Sequence, residues 1–171
     1  RATERKLSGG TDSEKAYERP EAFITDLQIV VESLKSHGGE RLVGNRLKGL
    51  VQTASALGFH LMSLDLRQNS DVHERVVAEL FASADGVDYL ALDEEQRVAT
   101  LTSELSHQRP LRSPFTTYSE ETMRELEILE AAAEAVGQFG PRALGAYIIS
   151  KTSDLSDMLE AMVLLKQVGL V

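Results

Sequence analysis

Apolar positions along this chain recur first at helical spacing, then change period near the middle. Phe23, Leu27, Val30, Val31 and Leu34 form a stripe behind Pro20 and predict a helix, with proline at the first position, where a missing N–H costs nothing. Gly38-Gly39 ends it. Leu42, Val43, Leu47, Leu50, Val51, Ala54 and Leu57 predict a second helix, from about Glu40 to Leu57, stopped by Gly58. From Phe59 to Leu66 the residues are apolar on both parities, which predicts a strand in a parallel sheet covered on both faces. It runs into Asp65, Arg67 and the polar turn Gln68-Asn-Ser-Asp71. Asp71 and Glu74 have the spacing of a capping box. Val72, Val76, Val77, Leu80 and Phe81 then predict a helix to about Ala84.

The second half repeats the theme. Asp85 to Tyr89 reads as a turn, and Asp93 with Gln96 as a capping box opening a helix through Val98, Leu101 and Leu105. Arg109-Pro-Leu-Arg-Ser-Pro114 is extended, because each proline disfavours helix in the residue before it. Ser119 caps a Glu- and Ala-rich helix to about Val136, broken by Gly137 to Pro141. Leu144 to Ile149 is a second buried strand, followed by the turn Ser150-Lys-Thr-Ser-Asp154. A helix carrying Leu155, Met158, Leu159, Met162, Leu165 and Val168 closes the pattern at Gly169.

Strand, polar turn and helix thus occur twice, separated by helices. The expected fold is α/β but predominantly helical, part of a TIM-like (β/α) barrel. Two strands cannot close a barrel: either the others lie outside this chain, or the fold is an α-bundle with a small sheet. The chain reads as one segment, with residues 1–19 a polar lead-in (a frayed helix end and a loop) and 20–171 the partial barrel.

Composition narrows the function classes. The 171 residues include 18 Lys plus Arg and 27 Asp plus Glu, a formal charge of −9. That balance disfavours nucleic acid and anionic membrane as partners, yet leaves room for a small anion held by one or two arginines. There is no cysteine, so thiol catalysis, disulfides and cysteine metal sites are excluded. No apolar run approaches the ~20 residues of a membrane span. A start at Arg1 without Met or a secretory apolar region reads as a piece of a longer protein, with the cytoplasm as its expected compartment.

Arg67 is the leading candidate for chemistry. Its guanidinium stays charged and offers a planar fork of donors matched to carboxylate or phosphate. It is read either as an anion clamp at the end of a parallel strand or as a structural partner of Asp65. Ser150, Lys151, Thr152 and Ser153 occupy the equivalent turn after the second strand, to donate to an anion at the next helix or, the commoner role of Ser and Thr, to cap it. His37, His60, His73 and His107 show no metal-ligand spacing on one helix face, and His60 reads as a core residue. Glu120, Glu121, Glu125, Glu127, Glu130 and Glu134 spread around a helix and read as a solvated face.

These same residues resemble the phosphoenolpyruvate carboxylase family. Leu64-Asp-Leu-Arg-Gln-Asn-Ser70 is similar to its motif (L/I)D(L/I)RQ(E/N)S, and Pro20 to Gln28 and Ala56 to Phe59 are similar to the family's approach to it. Glu104-Leu-Ser-His-Gln-Arg-Pro-Leu111 resembles its EL…(K/R)RPL segment. Ala146-Tyr-Ile-Ile-Ser150 and Leu164-Leu-Lys-Gln-Val-Gly169 resemble its AY(V/I)IS strand and LLKEAG helix. Several segments in family order, from about Pro20 to Leu170, make the resemblance specific.

The resemblance implies a lyase that forms oxaloacetate and phosphate from phosphoenolpyruvate and bicarbonate, feeding the tricarboxylic acid cycle. It also implies Mg²⁺ or Mn²⁺ as cofactor and a homo-tetramer for the full-length enzyme. Arg67 takes the place of the family's active-site arginine, catalytic and substrate-binding, with an electrostatic role toward anionic substrate or carboxyphosphate. The family's TAHPT motif, its metal-binding acidic pair and its HGRGGxxxRGG loop match no stretch here. The expectation is an internal fragment from the first part of the catalytic barrel, with no metal ligand of its own and inactive alone. Lys151-Thr-Ser-Asp-Leu-Ser-Asp157 departs from the family's Met-Ala turn. A non-catalytic helical interaction module derived from the same fold is the alternative, and another metal-dependent barrel enzyme acting on a small oxo-acid is a third.

Overall fold

A computed structural model describes residues 16–59 and 62–171. The expectations for residues 1–15, and the role of His60 within its strand, lie outside the described residues. Seven α-helices and two paired parallel strands make the described chain a mostly helical α/β protein. It clusters into two compact units, residues 1–64 with 136–143, and residues 65–135 with 144–171.

In the first unit, α1 (Pro20–Ser36) begins with proline in its first turn and ends at His37. The expected second helix is interrupted. A short α2 (Glu40–Leu42) passes through a π-helical turn, Val43–Leu47, into α3 (Lys48–Leu57). Val, Gly and Asn are weak helix formers, and a ladder built on them can slip by one residue. Gly58, at φ 63, stops α3 in a conformation that favours glycine. Phe59 turns under α1, its ring 6.2 Å from Phe23. Strand therefore begins five residues later than its apolar pattern predicts.

The second unit holds the main core. β1 (Leu64–Asn69) pairs with β2 (Leu144–Ser150). Around them lie α4 (Ser70–Asp85), α5 (Glu94–Ser106), α6 (Glu120–Phe139, whose last turn belongs to the first unit) and α7 (Leu155–Gln167). α7 packs against both α4 and α5. Val76, Val77, Leu80, Leu101, Leu126, Leu129, Val163 and Leu164 are fully buried. Each contributes about 1.5–3 kcal/mol relative to exposure.

The Asp93–Gln96 capping box forms as expected. Ser119 also caps α6, its Oγ accepting from Thr122 N–H at 3.3 Å. The Asp71–Glu74 box does not form: Asn69 is the N-cap, and Asp71 lies inside α4. The strands depart further from expectation, for neither is covered on both faces. Met62 is 62 % and Leu64 63 % exposed although they share the parity of Leu66 and Gln68: the core covers that face only from Leu66 onward, and the Asp65 and Arg67 face stays open.

Candidate functional site

Alternation along β1 sends Leu66 and Gln68 inward and leaves Asp65 and Arg67 outside. Asp65 Oδ1 accepts from the backbone N–H of Ala146 on β2 at 3.0 Å. Its other oxygen lies 4.0 Å from Arg67 Nη2, and the arginine side chain is 73 % exposed. An exposed pair at that distance is worth under about 1 kcal/mol. Both readings of Arg67 thus meet in one geometry: a partner exists, but it holds the guanidinium loosely and leaves its fork facing solvent.

The end of β2 is organised differently. Lys151 sits at φ 62, left-handed, with its carbonyl accepting from Ser70 Oγ at 3.1 Å. Its ammonium reaches Asp71 Oδ2 at 3.3 Å, while Arg75 lies 3.7 Å from the same oxygen and binds Glu121 through two nitrogens. The Lys151 hydrogen bond, with Arg75 adding, holds the Asp71 carboxyl below its usual value against a smaller opposing effect of burial. The Ser and Thr residues of this turn do not cap α7. Asp154 is its N-cap, and Asp157 Oδ2 accepts from the N–H groups of Ser153 and Asp154 at 2.7 and 3.1 Å. A carboxylate in the first turn already fills the helix terminus that was read as an anion seat.

Behind β1 lies a partly buried polar chain, with His73 and Glu125 buried and Gln68 and Tyr147 half-buried. Gln68 Nε2 donates to Glu125 Oε2 at 2.8 Å, and Gln68 Oε1 accepts from Asn69 N–H at 2.9 Å. The Tyr147 hydroxyl lies 2.6 Å from His73 Nε2 and near enough to Glu125 for that side chain to act on it. His73 Nδ1 is buried without a hydrogen-bond partner. Burial pushes the His73 imidazole down to about 4, so it is neutral at pH 7. Burial, with Glu125 adding, also pushes the Tyr147 phenol upward.

Sequence reasoning missed this chain, and Glu125 overturns the solvated-face reading of its helix, being only 4 % exposed. A signal was present. His73 shares the buried face of Val76, Val77 and Leu80, and Glu125 that of Thr122, Leu126 and Leu129.

The Glu104 to Leu111 segment is a staple. Glu104 is 2 % exposed and takes Lys166 Nζ at 2.6 Å, with Arg109 3.6 Å from its other oxygen. Arg109 also pairs with Asp85 at 2.5 Å, and Leu111 is buried, its N–H given to Gln167 Oε1 at 2.7 Å. Among the described residues no group of three or more His, Asp or Glu side chains is placed to hold a metal ion. No described helix is long and apolar enough to cross a membrane.

These features describe a helix-rich α/β protein that presents an arginine at the carboxyl end of a parallel strand. All of residues 1–171 match the family model described as phosphoenolpyruvate carboxylase. The chain is 58 % identical over 178 residues to a Caulobacter vibrioides protein of that name, covering 99 % of this chain and 20 % of the relative. It is 49 % identical over 166 residues to the one from Azorhizobium caulinodans, covering 96 % and 18 %. The one from Burkholderia vietnamiensis is 48 % identical over 157 residues, covering 91 % and 16 %. The chain belongs to the phosphoenolpyruvate carboxylase family, and it spans about a fifth of the length of the curated relatives it matches.

Proposed function

We propose that the full-length polypeptide carrying this chain carboxylates phosphoenolpyruvate with bicarbonate, releasing oxaloacetate and inorganic phosphate. Arg67 is the residue of this chain that meets the substrates. Two anions must be brought together, and a fixed positive fork offsets their repulsion where charge develops. The observation that carries this reading is the loosely held, solvent-facing guanidinium of Arg67 at the end of β1, in a chain matched by that family along its whole length. In this reading β1 and β2 are part of a TIM-like barrel completed by residues outside this chain. Those residues also supply the ligands for Mg²⁺ or Mn²⁺, which offers Lewis-acid stabilisation of the same anions. The full-length protein is a cytoplasmic homo-tetramer, and this chain alone is inactive.

The test is oxaloacetate formation by the undivided protein given phosphoenolpyruvate and Mg²⁺, with and without bicarbonate. Product that depends on bicarbonate is the expected result. A folded protein that makes none, or that turns over pyruvate-like substrates regardless of bicarbonate, overturns the proposal.

A further inference from the structure

We propose that the partly buried chain Gln68–Glu125–Tyr147–His73 positions Arg67, which makes Glu125 and Tyr147 positioning residues for the reaction proposed above; the inference rests on that reading of Arg67. Arg67 is 73 % exposed and touches Asp65 only at 4.0 Å, so little on its own face of β1 fixes where its guanidinium points. Its neighbour Gln68 is held at both ends of its amide, by Glu125 of α6 and by the backbone N–H of Asn69. That double hold sets the backbone on either side of Gln68, and strand alternation then aims Arg67 to the opposite face.

Each further link is constrained in turn. Glu125 accepts from Gln68 and lies beside the hydroxyl of Tyr147 on β2, whose phenol it acts on. Tyr147 meets the neutral His73 of α4 at 2.6 Å, with the two rings edge to face at 80°. The chain thus ties β1, β2, α4 and α6 together at the end of the strand that carries Arg67. Buried polar groups cost stability unless fully paired, and here Nδ1 of His73 is left without a partner. An apolar core would hold the same elements together without that cost. Directional hydrogen bonds do what apolar packing does not: they fix an orientation as well as a contact.

The experiment is a double-mutant cycle in the full-length enzyme, with kcat and KM for phosphoenolpyruvate measured in each variant. Glu125→Ala and the smaller change Tyr147→Phe are each made with Arg67 present and with Arg67→Ala. Arg67→Ala alone is expected to lower turnover about a hundredfold. Glu125→Ala should lower kcat about tenfold when Arg67 is present and less than about twofold when it is absent. Tyr147→Phe should show the same loss of effect, and Glu125→Gln, which can still accept from Gln68, should restore most of the turnover. Equal losses in both backgrounds, or a folded Tyr147→Phe enzyme of unchanged turnover, overturn the positioning role while leaving Arg67 in the site. An Arg67→Ala enzyme of unchanged turnover overturns the reading of Arg67 itself, and the inference with it.

Discussion

Two buried ionisable residues pull the pH dependence of stability in opposite directions. Glu160 is fully buried: its Oε1 accepts from the Tyr89 hydroxyl at 2.8 Å, and its Oε2 has no hydrogen-bond partner. Burial, with Asp157 and Glu74 adding, pushes its carboxyl from 4.5 up to about 7. A group raised on folding contributes most below its unfolded value, so this contribution is lost as pH rises from 4.5 through about 7. His73 has the opposite sign. Lowered from 6.5 to about 4, it stabilises fully above 6.5 and loses that contribution as pH falls toward 4. Glu160→Gln keeps an acceptor for Tyr89 and removes the charge. It should therefore raise stability on the order of 1–2 kcal/mol at pH 8 and change it little at pH 5. Urea unfolding of both proteins at the two pH values checks this. An equal shift at both would mean that Glu160 carries no buried charge at pH 8.

Between elements, the most consequential polar contact joins α5 to α7. Lys166 is 12 % and Glu104 2 % exposed, and the ammonium also donates to the Glu104 carbonyl at 2.5 Å. Lys166→Met leaves Glu104 with the more distant Arg109 at 3.6 Å and the His107 ring at 4.0 Å, and should destabilise by about 3 kcal/mol. Replacing both partners, Glu104→Leu with Lys166→Met, should recover most of that loss, because no uncompensated charge remains. Thermal unfolding of the single and double variants decides it. A single variant within about 1 kcal/mol of the parent would show that the neighbours on the other oxygen, Arg109 and His107, suffice for the carboxylate. Elements were legible wherever local chemistry determines them, as in the Asp93–Gln96 box, the Ser119 cap, the stripe of α4 and the extents of α1 and α7; the α7 stripe was not, for Leu155, Met158 and Met162 are exposed while Ala161, Val163 and Leu164 are buried. They were illegible where one register competes with another. Val43 to Leu47 carries apolar residues at helical positions, but the periodicity does not reveal a π-turn. Phe59 to Leu66 is as apolar as a covered strand, yet Phe59 spends its ring on α1. At the site, Arg67 stood out because its motif is contiguous. Glu125, Tyr147 and His73 did not, because they meet only after three elements pack.

At the scale of the whole molecule, several large apolar side chains stand exposed among the described residues. Among the described residues Phe115 is 97 %, Leu64 63 %, Met62 62 % and Ile148 38 % exposed, and β1 and β2 each pair with a single strand neighbour. Unpaired strand edges beside exposed apolar side chains are templates for association between chains. The formal charge of −9 opposes it. Repulsion of that kind acts over a Debye length of about 8 Å at physiological salt and about 30 Å at 0.01 M, whereas apolar contact is not weakened by salt. The chain on its own should therefore self-associate, and do so more strongly as sodium chloride rises. Light scattering over a concentration series at low and high salt tests both parts. A species that stays monomeric at high concentration would mean that these apolar groups are too dispersed to bind one another. Association that weakens with salt would assign the contact to ion pairs instead, and remove Met62, Leu64 and Ile148 as its cause.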